Sequence, residues 1–176
     1  EWAAKNGINT IMWIPTVQSL KKRFEIYKNA RSETEKRNVE MGEGVSLVRD
    51  MFIADTMEEA KEKAGEQMVN YMRWVCHWRG LGTHMNPGEE LHKTNRKLDL
   101  LNYDFLHKRN MLFGTVDYVI EKIEELQSEL NLQYLQVWSN FPGVKHDDCM
   151  KSIKSFTEKV MPHFHKKNKA EIQQAS

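Results

Sequence analysis

Two tryptophans stand where α/β proteins gather their chemistry. Trp13 comes near the end of the short apolar run Ile8–Ile14, and Trp138 closes the run Leu132–Trp138. The carboxyl ends of parallel strands are where such folds bind ligands. Two indoles there suit a pocket for a flat cofactor or an apolar substrate, and they suit packing at a barrel rim equally well.

The remaining reactive residue types point to less. His84, His92 and His107 are scattered between Gly80 and Leu112, and His163 and His165 flank Phe164. Neither a His-Glu-x-x-His nor a Cys-x-x-Cys motif occurs, so the spacing predicts no metal site and reads these histidines as solvated. Cys76 and Cys149 lie far apart in a chain with 10 Met, which reads as packing thiols in a reducing compartment. There is no GxGxxG and no Walker pattern. Gly114-Thr115 opens a helix, where a plain N-cap explains the residues better than an anion site does.

Composition narrows the class. The 176 residues hold 26 Lys+Arg against 25 Asp+Glu, which lacks the basic excess of a dedicated nucleic-acid binder. No stretch approaches the ~20 apolar residues of a membrane span, and no signal peptide opens the chain. The expectation is a cytoplasmic protein that binds neither nucleic acid nor membrane.

The elements that must position the indoles follow from periodicity. Trp2–Asn6 reads as the last turn of a helix stopped by Gly7. Ile8–Ile14 reads as a strand buried on both faces, with Pro15 opening a helix that carries Val17, Leu20, Phe24 and Tyr27 inward. Val45–Ala54 reads as a second strand. Thr56 with Glu59 forms a capping box for a long helix whose inner stripe is Ala60, Ala64, Met68, Tyr71, Val75 and Trp78. Residues 80–112 lose periodicity and read as a long loop with short helical pieces. Thr115 then caps a helix with Val119, Ile123 and Leu126 inward, Leu132–Trp138 forms a third strand, and a last helix from about Asp147 ends at Pro162. Three strands alternating with helices predict a parallel sheet with helical crossovers. A chain that opens on the end of a helix, at Glu1-Trp2, reads as part of something longer.

Four segments resemble one family in order along the chain. Glu1-Trp2-Ala3-Ala4-Lys5-Asn6-Gly7 is similar to the helix end that precedes the sixth strand of the luciferase-like flavin-dependent monooxygenases, the bacterial luciferase superfamily. Arg49 to Ala60 resembles the family's strand-to-helix passage "VAdTxeeA". Phe113-Gly114-Thr115-Val116 resembles "GTPeeV", with Val116 in place of Pro. Ser152 to Phe164 resembles the closing "SlxxFaxxVmPxf".

That resemblance implies an α/β chain made of the C-terminal three βα units, strands six to eight, of a truncated TIM (β/α)8 barrel. Residues 1–162 would be this part of one domain, 80–112 a mobile lid, and 163–176 a flexible polar tail. It further implies reduced FMN, supplied by a partner flavin reductase, used with O2 to oxygenate a small apolar organic substrate. Trp13 and Ile14 would face the flavin, and Trp138, Ser139, His84 and His92 the substrate pocket or lid. The phosphate loop and the catalytic residues would precede Glu1, leaving this chain alone inactive, and family members often form dimers. A deazaflavin-dependent oxidoreductase of the same superfamily and a non-catalytic half-barrel interaction module are the alternatives.

Overall fold

The structure, a computed structural model, describes residues 1–80, 84–89 and 101–165. Its elements are α1 (Trp2–Lys5), β1 (Thr10–Met12), α2 (Val17–Glu35), β2 (Val45–Ile53), α3 (Met57–Ala60), a π segment (Lys61–Gly65), α4 (Glu66–Arg79), α5 (Tyr103–Asn110), β3 (Met111–Gly114), α6 (Val116–Leu130), β4 (Tyr134–Trp138), α7 (His146–Ser155) and a second π segment (Phe156–Val160).

All strand pairs are parallel and all run through β2. Leu47 is partnered by Met12 on one side and Leu135 on the other, and Asp50 by Met111 and Trp138. It follows that β4 lines one edge of β2 while β1 and β3 share the other in succession. The expectation of parallel strands is met, but among the described residues the sheet has four strands, not three. The helix α5 lies within the stretch 80–112, read as a loop with short helical pieces, and the additional strand β3 begins at the end of that stretch. Met111-Leu112-Phe113 is too short an apolar run to show a period, and its pairing with Asp50–Ile53 makes it a strand.

The pleat of β2 sorts its side chains into two layers. Val45 and Leu47 pack with Leu20, Phe24, Tyr27, Leu126 and Leu130, while Met51 and Ile53 pack with Leu112, Val119, Ile123 and Val160. On the other face Phe52 packs with Phe113, Phe141, Met68 and Met72. The rest of that face is open: Ile11 and Tyr134 are each 63% exposed and Trp138 47%. This corrects the reading of the first run as a strand buried on both faces. Helical crossovers cover one side of β1, and the described residues leave Ile11 uncovered on the other.

Local signals behave as their chemistry requires. Gly7 stops α1 at φ 68°, where an L side chain would be strained. Thr56 Oγ1 accepts from the Glu59 backbone N–H at 3.0 Å, and Glu59 reaches back to the N–H of Asp55. Thr16, rather than Pro15, caps α2, accepting from Ser19 N–H. The π segment Lys61–Gly65 accommodates an extra residue in its turn and rotates the face that follows. The buried stripe therefore continues through Met72 and Cys76, and Trp78, expected inside, is 72% exposed. Pro162 does not end the last helix either; helical backbone runs on to His165. Pro162 comes just after the second π segment, where the regular hydrogen-bond ladder is already interrupted.

Burial sets the expected energetics. Phe113→Ala should destabilise the chain by about 3–5 kcal/mol, because Phe113 is fully buried between Phe52 and Phe141. Trp78→Ala should stay within about 0.5 kcal/mol. Urea denaturation of the two variants checks both values, and a large loss for Trp78→Ala would contradict the exposed face of α4.

Candidate functional site

The register of β2 brings the two tryptophans together. Trp13 follows the last residue of β1, and Trp138 ends β4 opposite Asp50. Their rings are nearly parallel, at 13° with centroids 5.9 Å apart, which is an offset stack. Tyr71 of α4 lies 6.1 Å from Trp13, and Trp74 stacks on Tyr71 at 6.3 Å. The Arg79 guanidinium sits 5.8 Å from the centroid of the Trp13 ring. The result is an aromatic wall at the carboxyl ends of parallel strands, with much of Trp138 open to solvent. The Trp138 indole N–H donates to the carbonyl of Asn140 at 2.9 Å, which fixes that ring in turn.

Two charged neighbours lie at the centre of the sheet, within the run Val45–Ala54. Arg49 and Asp50 are both buried, and because they are adjacent in β2 they point to opposite faces. Arg49, on the helix side, donates from Nη2 to the carbonyl of Pro15 at 2.7 Å. Burial draws its guanidinium down to about 10, opposed by the charge of Asp50. Asp50, on the open side, accepts from Trp13 Nε1 with both carboxyl oxygens at 3.3 Å. Burial pushes its carboxyl up to about 7, against the opposing effects of the Trp13 hydrogen bond and Arg49. The signal available in the sequence was the placement of two charges side by side inside an apolar run.

The strand end itself is strained. Ile14 is buried at φ 43°, a conformation that a β-branched residue rarely adopts and that costs roughly 1–3 kcal/mol. Its carbonyl accepts from Asn110 Nδ2 at 2.7 Å, while the next carbonyl is held by Arg49. Side chains from α5 and β2 thus fix the bend that turns Trp13 toward Trp138.

The other expected site residues separate. Ser139 is half-buried beside Trp138. His84 is fully buried, with Nδ1 at 3.9 Å from Cys76 Sγ and its carbonyl accepting from Arg109 Nε at 3.2 Å. Burial lowers His84 to about 4 and raises Cys76 to about 11, so neither carries charge near neutrality. These contacts tie His84 to α4 and α5 as a packing residue. His107, read as solvated, is half-buried between the rings of Tyr103 and Tyr118, each 5.1 Å away, and contacts the Phe113 carbonyl at 2.7 Å. Thr115 caps α6, its Oγ1 accepting from the Tyr118 N–H. His92 lies outside the described residues.

The fold, a parallel α/β sheet with helical crossovers, is similar to those of several solved structures. One match is the oxygenating constituent of the 3,6-diketocamphane monooxygenase from the CAM plasmid of Pseudomonas putida, solved in complex with FMN, at TM-score 0.65 and 18% identity over 92% of this chain and 44% of that one. A monooxygenase from Streptomyces bottropensis matches at TM-score 0.62 and 16% identity, over 93% of this chain and 44% of that one. The coenzyme F420 dependent tetrahydromethanopterin reductase from Methanopyrus kandleri matches at 0.57 and 17%, over 92% and 48%. The chain spans less than half the length of each. No family sequence model and no curated protein sequence matches it.

The raised Asp50 makes a pH prediction with a defined sign. Between pH 3.8 and about 7 the folded chain holds a proton on Asp50 that the unfolded chain has released. Its stabilising contribution is full below that window and is lost as pH rises through 7. His84 acts oppositely, contributing above pH 6.5 and losing that contribution as pH falls toward 4. The stability of Asp50→Asn minus that of wild type should therefore rise between pH 4 and 7, and the difference for His84→Gln should fall between 4 and 6.5. Denaturant titrations across this range check both slopes.

Proposed function

We infer that this chain supplies strands six to eight of a luciferase-like barrel and that its aromatic mouth binds the ring of a flavin. β1, β2 and β4 would be those strands, and β3 with α5 belongs to the covering segment between the seventh and eighth. The observation that carries the reading is the stacked pair of Trp13 and Trp138 at two parallel strand ends flanking β2. A planar tricyclic ring fits such a wall: it needs an apolar face to stack on, and Trp138 leaves one open.

Trp138 and Trp13 would hold the ring, Ile14 would close its edge, and Ser139 would lie beside the shared substrate cavity. Reduced FMN, when bound, supplies the electrons that activate O2 for oxygenation of a small apolar organic substrate. The residues here do the rest: they bind the ring, orient it against the strand ends and exclude water with a wall of Trp13, Tyr71 and Trp74. A partner flavin reductase, a dimeric assembly and a cytoplasmic location belong to the same reading. Among the described residues no helix is long and apolar enough to cross a membrane.

A deazaflavin is the second reading, favoured by the likeness to the F420 dependent reductase. The two cofactors share a tricyclic ring and differ in its central atom and tail. The interaction-module alternative is weaker, because a stacked, hydrogen-bonded indole pair is built for a ligand more than for a protein partner.

Lumiflavin, the ring without the ribityl phosphate, tests the site by itself. It should quench the indole fluorescence of the 176-residue chain saturably, FMN should bind with similar affinity, and 5-deazariboflavin provides the comparison arm. Trp138→Ala should weaken lumiflavin binding about tenfold, equivalent to roughly 1.4 kcal/mol. Binding that survives Trp138→Ala unchanged would place the ring elsewhere and overturn the assignment.

A further inference from the structure

We propose that Asp50 is the positioning residue for the indole pair: its carboxyl, buried on the open face of β2, fixes the ring of Trp13 through Nε1 and so holds it parallel to Trp138.

The geometry carries this. Asp50 lies in β2 between the two strands whose ends bear the tryptophans, directly opposite Trp138 in register. It is only 1% exposed. A buried carboxyl is costly unless its oxygens are satisfied, and among the described residues the side-chain donor that reaches it is Trp13. Both oxygens lie at 3.3 Å from the indole nitrogen, so the N–H is aimed between them. Turning the Trp13 ring in either direction would break this bond and leave the acid buried without it.

The ring is thereby held at one edge by Asp50 and on its face by Trp138, with Tyr71 and Arg79 of α4 beside it. Arg49 cannot substitute, because the pleat sends its side chain to the opposite face, where it binds the Pro15 carbonyl. The charged and titratable groups that act on Asp50 are few. Arg49 on its own strand favours the carboxylate, Tyr71 on α4 feels its charge, and Arg79 acts on Tyr71.

Asp50 touches neither cofactor nor substrate in this role; it acts through Trp13. What the fixed pair is for rests on the flavin reading above, but the pair itself is observable without flavin. Parallel indoles at this separation couple their transitions and give a circular-dichroism couplet in the far ultraviolet. Trp138→Phe should abolish that couplet, which assigns it to the pair among the five tryptophans.

Asp50→Ala should lose most of the couplet while the remaining far-ultraviolet spectrum stays folded. Asp50→Asn retains an acceptor oxygen and should rescue it. A couplet that persists in Asp50→Ala, or one that Asn fails to rescue in a folded protein, overturns the proposal. Should Asp50→Ala fail to fold, hydrogen exchange of the Trp13 indole N–H in wild type decides, its resonance assigned with Trp13→Phe: protection well beyond that of the exposed Trp74 supports the role, and exchange as fast as that of Trp74 overturns it. An intact couplet with no lumiflavin binding would sink the flavin reading and leave the positioning role standing.

Discussion

Among the described residues, every hydrogen-bonded strand pair in this sheet includes β2. Along one edge it pairs with β1 at Val45–Leu47 and with β3 at Asp50–Ile53, two short strands placed end to end, and along the other it pairs with β4 at Ser46–Asp50. Parallel pairing cannot be closed by a tight turn, so each neighbour returns through a crossover, and those crossovers deposit the helices that bury Leu47, Met51 and Ile53. The same central position decides the chemistry. A strand covered on both edges and at its carboxyl end has no solvent to offer a charged side chain, so Arg49 and Asp50 take their protonation behaviour from what each face provides.

The amount legible in the sequence follows the length and regularity of each signal. The cap at Thr56, the glycine stop at Gly7 and the amphipathic α6 were plain because one turn or one stripe is enough to define them. The pairing of Trp13 with Trp138 was also within reach, since both stand at strand ends. β3 was not: a run of three apolar residues becomes a strand only because Asp50–Ile53 lies ready to pair with it. The burial of Trp78 was misjudged because the π segment breaks the period on which the stripe was counted. A broken pattern implies exposure for His84 and His107, whereas Cys76 and Arg109 contact the one and Tyr103 and Tyr118 flank the other, contacts that no local period encodes.

Asp50 illustrates a different kind of failure. Its residue type was visible, but its role depends on the pleat and on the register that sets Trp13 and Trp138 on either side of it. A carboxyl within an apolar strand is either at an edge facing water or at a centre facing a partner, and only the pairing of β2 separates the two. The open face beside it, with Ile11, Tyr134 and Trp138 uncovered among the described residues, belongs to a sheet that matches less than half the length of its structural neighbours.

The bend at Ile14 has a consequence for how distant parts of the chain are linked. An unfavourable backbone conformation persists only while its restraints hold, and one restraint is an amide from Asn110, 96 residues away in sequence. Docking of α5 and the orientation of the first strand's end are therefore two descriptions of a single equilibrium. Displacing α5 from the sheet would free the Ile14 carbonyl and remove one restraint on the bend that follows Trp13.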